Sequence, residues 1–207
     1  MKPWLTIIGV GGAGVDDLST RAKNVIKHAE AVAGTKFHLD QVEINGQKIY
    51  FPERKVAVFE EIDKWRGKQT VLLTQGDPFF YGIGKIILDR YNSQEIYSIP
   101  APSAFSLVAS RMKWQQQDCK LLSLYDRPFD VFVTHLIPGT KIISLCRDEN
   151  TPRMVAEYLS NNNMGKSIIY VLEGIDTPRE RIRWTLAEEY NFNDVISFLN
   201  SLALDIR

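Results

Sequence analysis

Apolar residues along the chain fall into two alternating rhythms, short runs of strand length and longer stretches of helical period, and the alternation persists through both halves. Leu5 to Val10 reads as a strand. After it, Leu18, Ala22, Val25, Ile26, Ala29 and Val32 share one face of a predicted helix, with Ser19 and Thr20 as candidate starts. Further strands are predicted at Val56–Val58, Thr70–Thr74 and Ile96–Ile99, and helices at Gly82–Tyr91 and Ser103–Met112; Pro100 and Pro102 break the chain before the last helix. In the second half, strands are predicted at Lys120–Leu124, Lys141–Leu145, Ser167–Leu172 and Arg181–Leu186, and helices at Asp130–Leu136 and Thr151–Leu159. Val195–Leu199 fits a short helix or a strand.

Between the halves lies Lys113-Trp114-Gln115-Gln116-Gln117, a polar interruption that marks a candidate hinge. The expected architecture is α/β with two domains, residues 1–113 and 114–207, separated by a cleft. A chain of 207 residues with 44% apolar content can build two such cores. Its 25 basic and 25 acidic residues leave no net charge, so the whole chain carries no electrostatic signature of a nucleic-acid binder. Cys119 and Cys146 lack CxxC spacing, and no signal peptide or long apolar span is present, so the expectation is a cytoplasmic protein with no membrane partner. His28, His38 and His135 show no metal-ligand spacing, and no Ser-His-Asp or Cys-His arrangement has local support.

The candidate chemistry lies in loops. Leu72-Leu73-Thr74-Gln75 runs into Gly76-Asp77-Pro78-Phe79-Phe80-Tyr81-Gly82-Ile83-Gly84, a strand passing through a tight turn into a helix. Gly76 lets backbone approach a ligand, Asp77 can accept hydrogen bonds from amines or hydroxyls, and Pro78 stiffens the bend. Gly9, Gly11 and Gly14 satisfy GxGxxG, a dinucleotide signal when an acid for the ribose follows about 20 residues later. That region reads Ala31-Val32-Ala33-Gly34-Thr35, and the nearest acid, Glu30, precedes it, which argues against a nicotinamide dinucleotide.

Together with Ile99-Pro100-Ala101-Pro102-Ser103-Ala104-Phe105-Ser106 and Ser123-Leu124-Tyr125-Asp126-Arg127-Pro128, these loops resemble, in order, those of the tetrapyrrole methylases, most closely the precorrin methylases that act on carbon 5. The family patterns are GxGPGG, SGDPxFYGIG, PGxSSxQ and SLHGR; the second match is specific and the others looser. The resemblance implies methyl transfer from S-adenosylmethionine to carbon 5 of a precorrin of the precorrin-7 type in cobalamin biosynthesis, with no metal. It also implies a homodimer, for which Phe51, Trp65 and Trp184 are candidate contacts, and a fused or separate methyltransferase that acts on carbon 15 and decarboxylates.

By the same resemblance, donor contacts fall to Gln75, Gly76, Asp77, Phe80, Ser103, Ala104, Leu145, Cys146 and Tyr170, and substrate contacts to Gly11, Gly12 and Arg127. Ser103 also stands where a helix N-cap is expected. Among Lys85, Arg111, Lys113, Lys120 and Arg127, near the loops, only Arg127 lies inside a matched motif, and its guanidinium suits a carboxylate. The chain departs from the patterns at Gly12 for proline, Ala13 for glycine, Ala104 for a second serine, Tyr125 for histidine and Asp126 for glycine, so no general base is assigned. The alternatives are a methylase of this fold with another substrate and a binding or assembly domain without catalysis.

Overall fold

The computed structural model describes residues 3–51, 57–125, 127–194 and 200–207. The chain divides into two compact units, Met1–Ser103 and Ala104–Arg207.

The first unit is a parallel five-stranded sheet of β1 (Leu5–Val10), β2 (Ala31–Gly34), β3 (Gln47–Tyr50), β4 (Thr70–Gln75) and β5 (Ile96–Ile99), in the order β3-β2-β4-β1-β5. Its helices are α1 (Thr20–Lys27), α2 (Lys36–Leu39), α3 (Ala57–Asp63) and α4 (Gly84–Leu88). β1 and β2 are buried along their whole length, because helices cover both faces and a central parallel strand then needs a continuous apolar run. One face packs Leu5, Ile7, Ala31, Ala33 and Leu72 against Val58, Phe59 and Ile62 of α3 and Ile87 of α4. The other packs Ile8, Val10, Val32, Val71 and Leu73 against Ala22 and Ile26 of α1 and Leu39 of α2.

This topology has a consequence at the neighbours β1 and β4. From β1 the chain crosses through α1 past β4 to β2, whereas from β4 it crosses through α4 past β1 to β5. The two connections leave in opposite directions and onto opposite faces. Their carboxyl ends therefore lie at a topological switch point of the sheet, the usual ligand site of an open parallel sheet.

Two sequence expectations fail here. The helix expected to run through Val32 ends at Lys27, and Ala31–Gly34 forms β2 instead. Val32 continues the helical spacing by coincidence, since a strand covered on both faces is apolar at every position. Ser19 does start α1, its side chain accepting from the Ala22 amide at 3.2 Å. The strand expected at 56–58 is not found: Val56 lies outside the described residues, and α3 begins at Ala57.

The second unit is a mixed sheet of β6 (Cys119–Ser123), β7 (Lys141–Leu145), β8 (Ile168–Glu173), β9 (Arg181–Leu186) and β10 (Asn200–Asp205), ordered β6-β7-β10-β8-β9. Only the β6–β7 pair is parallel. Helix α5 (Ala104–Met112) lays Phe105, Val108 and Ala109 on Ile143, Leu172 and Ala203. The opposite face packs Ile142, Ile169, Val171, Leu202 and Leu204 against Phe132 of α6 (Phe129–Val133) and Val155, Ala156 and Leu159 of α7 (Thr151–Asn161).

The units divide at 103/104, ten residues before the expected boundary, because α5 buries its apolar face on the second sheet. The polar stretch after α5 is not a hinge: the Trp114 amide closes the helix on the Ala109 carbonyl at 2.9 Å, and its ring packs edge-on to Tyr170. Residues 195–199, for which a helix or a strand was expected, lie outside the described residues.

An ion cluster fastens the β8–β9 hairpin. The buried Glu173 carboxylate accepts from Arg181 Nε and Nη2 at 2.8 and 3.1 Å and from Arg183 Nη2 at 2.9 Å, and Asp194 bridges the same arginines at 2.7 and 2.6 Å. These bonds hold the Asp194 carboxyl below its ordinary range.

His38 on α2 is buried, and its Nδ1 has no hydrogen-bond partner among the described residues. Burial lowers its pKa below the ordinary 6.5, so the fold holds the neutral ring. The unfolded chain then binds more protons below about pH 6.5, and stability falls as pH falls through that range. Melting followed from about pH 8 to about pH 5 should show this loss, and His38→Gln should flatten it; parallel profiles for parent and variant would assign the pH dependence elsewhere.

Candidate active site

The carboxyl ends of β1, β4 and β5 are joined by backbone. The Gly76 amide donates to the Val10 carbonyl at 2.9 Å, and the Gly76 carbonyl accepts from the Ala101 amide at 3.2 Å. The second bond passes over Gly9: a Cβ there would lie 1.9 Å from the Gly76 oxygen and 2.5 Å from the Ala101 nitrogen. No side chain fits. Gly76 itself takes a φ of 63°, the left-handed conformation that glycine adopts at least cost.

Beyond Gly76, the Asp77 carboxylate accepts from the Phe79 amide at 2.9 Å through Oδ1, and the Gly84 amide returns to the Pro78 carbonyl at 2.7 Å. Asp77 is thus a turn-former as well as a candidate ligand group, which sequence reasoning did not separate. It is half-buried, and its second oxygen has no hydrogen bond among the described residues, leaving acceptor capacity at the switch point.

The structure gathers most of the first unit's expected site residues on one rim. Gly11 and Gly12 follow β1, Gln75, Gly76, Asp77 and Phe80 follow or end β4, and Ser103 follows β5, its α-carbon 3.5 Å from where a Gly76 Cβ would stand. The β2 end carries no acid for a ribose, and Glu30, at the opposite end of that strand, accepts from the Gln69 amide at 3.0 Å.

In the second unit, Ala104 opens α5, while Leu145 and Tyr170 stand on one face of the sheet on either side of β10, packed with the α5 cluster. Cys146 differs. Its side chain belongs to the core on the opposite face, and burial pushes its thiol well above the ordinary range, so only its backbone is available to a ligand. Arg127 is exposed, in a loop whose neighbour Asp126 lies outside the described residues. Sequence reasoning missed how that loop is held: Arg147 donates to the Leu124 and Arg127 carbonyls at 3.3 and 3.2 Å. Arg147 lies outside the matched motif, two residues past β7, so only the fold joins them. Arg111 is engaged by Glu180 through two bonds at 2.6 and 3.0 Å. Among the described residues no group of three or more His, Cys, Asp or Glu side chains is placed to hold a metal, and no helix is long and apolar enough to cross a membrane.

Residues 4–190 match the family model of Tetrapyrrole (Corrin/Porphyrin) Methylases. The chain is 36% identical over 208 residues to a precorrin-6Y C(5,15)-methyltransferase [decarboxylating] of Sinorhizobium sp, covering all of this chain but half of that protein's length. It is 28% identical over 199 residues to the cobalt-precorrin-7 C(5)-methyltransferase of Salmonella typhimurium, covering 93% of this chain and 97% of that one. The fold is shared with the crystal structure of a uroporphyrin-III C-methyl transferase from Thermus thermophilus complexed with S-adenyl homocysteine, at a TM-score of 0.73 and 18% identity over 97% of this chain and 96% of that chain.

The contact over Gly9 has a direct test. Gly9→Ala should lose about 1–3 kcal/mol of stability by urea unfolding, as an overpacked site does. A midpoint equal to the parent's would mean that the three strand ends are not held as described.

Proposed function

The chain belongs to the tetrapyrrole (corrin/porphyrin) methylase family, and on that premise we propose that it transfers a methyl group from S-adenosylmethionine to carbon 5 of a precorrin of the precorrin-7 type in cobalamin biosynthesis. The observation that carries this reading is the switch point between β1 and β4, where the Gly76-Asp77 turn and the glycine-rich loop meet at the strands' carboxyl ends. The relatives' names supply the substrate.

Bound there, S-adenosylmethionine supplies a methyl on a sulfonium that leaves as a neutral thioether. The protein's task is alignment of the acceptor carbon with that methyl, which can contribute about 7–11 kcal/mol to lowering the barrier. In this reading Gln75, the Gly76 backbone, the free oxygen of Asp77, Phe80, Ser103 and Ala104 hold the donor, with Leu145, Tyr170 and the backbone of Cys146 contributing from the second unit. Gly11, Gly12 and Arg127 face the acceptor, the arginine clamping one peripheral carboxylate. A homodimer belongs to the same reading. Of its three candidate contacts, Trp184 is exposed, whereas Phe51 and Trp65 are half-buried against the first unit's core. A carbon-15 methyltransferase, fused or separate, is the proposed functional partner.

The two roles of Asp77 separate by substitution. Asp77→Asn keeps an oxygen for the Phe79 amide and removes the charge, so it should melt like the parent and bind S-adenosylhomocysteine at least about tenfold more weakly, since hydrogen bonds to charged groups contribute about 1.5–3 kcal/mol. Calorimetric titration giving parental affinity would remove Asp77 from the donor site.

Arg127→Ala should leave S-adenosylhomocysteine affinity unchanged and raise KM for the precorrin by about tenfold or more. Loss of donor affinity instead would place Arg127 at the donor.

A further inference from the structure

The loop after Asp77 holds an unusual backbone that the donor contacts do not explain. Tyr81 has a φ of 53°, a left-handed conformation unfavourable for a bulky aromatic residue. Two neighbours make it possible. A Cβ at Gly82 would lie 2.6 Å from the Pro78 oxygen, and one at Gly84 would lie 2.4 Å from the Phe79 ring. The chain therefore coils tightly against itself around Tyr81, yet the Tyr81 ring is not taken into the core: the residue is 41% exposed. Phe80 lies beside it, ring centroids 5.2 Å apart and edge to face. A strained backbone that turns an aromatic ring outward, rather than burying it, is characteristic of a surface shaped for a ligand.

We propose that Tyr81 is an acceptor-binding residue: its ring bears against the conjugated face of the macrocycle at the β1–β4 switch point, with Phe80 as its edge-on support. The inference rests on the methyltransferase reading and adds to it the element that recognises a flat, conjugated acceptor as distinct from its carboxylates. An aromatic face suits this because offset stacking is tolerant of ring substituents and keeps water off the reacting carbon. The left-handed turn fixes the direction of the Tyr81 Cα–Cβ bond, and the edge contact with Phe80 bears on one side of its ring.

The test separates the ring from the turn. Tyr81→Gly accepts a φ of 53° without strain and removes the ring, whereas Tyr81→Phe keeps the ring and removes only the hydroxyl. Methyl transfer is measured with S-adenosylmethionine and precorrin-7, alongside calorimetric titration of S-adenosylhomocysteine and melting. Tyr81→Gly should raise KM for precorrin-7 by about tenfold, the scale of an aromatic contact, at unchanged S-adenosylhomocysteine affinity and equal or higher melting temperature. Tyr81→Phe should stay within about twofold of the parent, as stacking requires only the ring. A Tyr81→Gly enzyme with parental KM would overturn this proposal while leaving the methyltransferase reading in place. Loss of donor affinity in Tyr81→Gly would also overturn it, by placing the ring at the donor. A parent chain that transfers no methyl to precorrin-7 would overturn the reading and the proposal with it.

Discussion

The Gly76 carbonyl and the Ala101 amide meet directly over the α-carbon of Gly9, and the first unit's site is built outward from that contact. A parallel sheet ordinarily lets its strand ends diverge into separate loops. Here the loops after β4 and β5 are bonded across the end of β1, so the turn at Asp77 and the segment reaching Ser103 are held at fixed positions relative to the glycine-rich loop. The energetic requirement is small and local, one missing side chain, but its effect is to make the rim rigid where a ligand must be aligned.

The second unit reaches rigidity by another route. Its mixed sheet buries a carboxylate, Glu173, which is tolerable because two guanidinium groups satisfy it and are themselves joined by Asp194. One of the strands so fastened carries Tyr170, and Leu145 stands across β10 on β7. Arg147 then ties the loop bearing Arg127 to the end of β7. Backbone packing fixes the first unit's candidate groups, and charged side chains fix much of the second's.

The sequence made legible those parts whose signal is local. β1, β4, β5 and β7 fall where apolar runs predicted them, because each is a short run bounded by turn residues, and β9 falls where the alternation of Arg181–Leu186 predicted it. The GDP turn was legible for the same reason. β2, β3 and β10 were not: β2 continues the helical spacing of α1, β3 has only Ile49 buried, and β10 owes its place at the centre of the second sheet to partners distant in the chain. The misplaced domain boundary has a similar cause, since polarity marked Lys113–Gln117 while the burial of Phe105 and Val108 assigned α5 to the second sheet. Among the site residues, Cys146 shows the limit most clearly, as spacing places it beside Leu145 but cannot tell which of two buried faces receives its side chain. The strain at Tyr81 and the grip of Arg147 depend on dihedral angles and contacts that no residue pattern encodes.

The central claim, methyl transfer to one carbon of a precorrin, is tested most directly by following an isotopically labelled methyl from S-adenosylmethionine to precorrin-7 with the purified chain and locating it by nuclear magnetic resonance. The account predicts a single labelled methyl on carbon 5, with one S-adenosylhomocysteine released for each methyl transferred. Label at another position, or no transfer by a chain that binds S-adenosylhomocysteine, would contradict it.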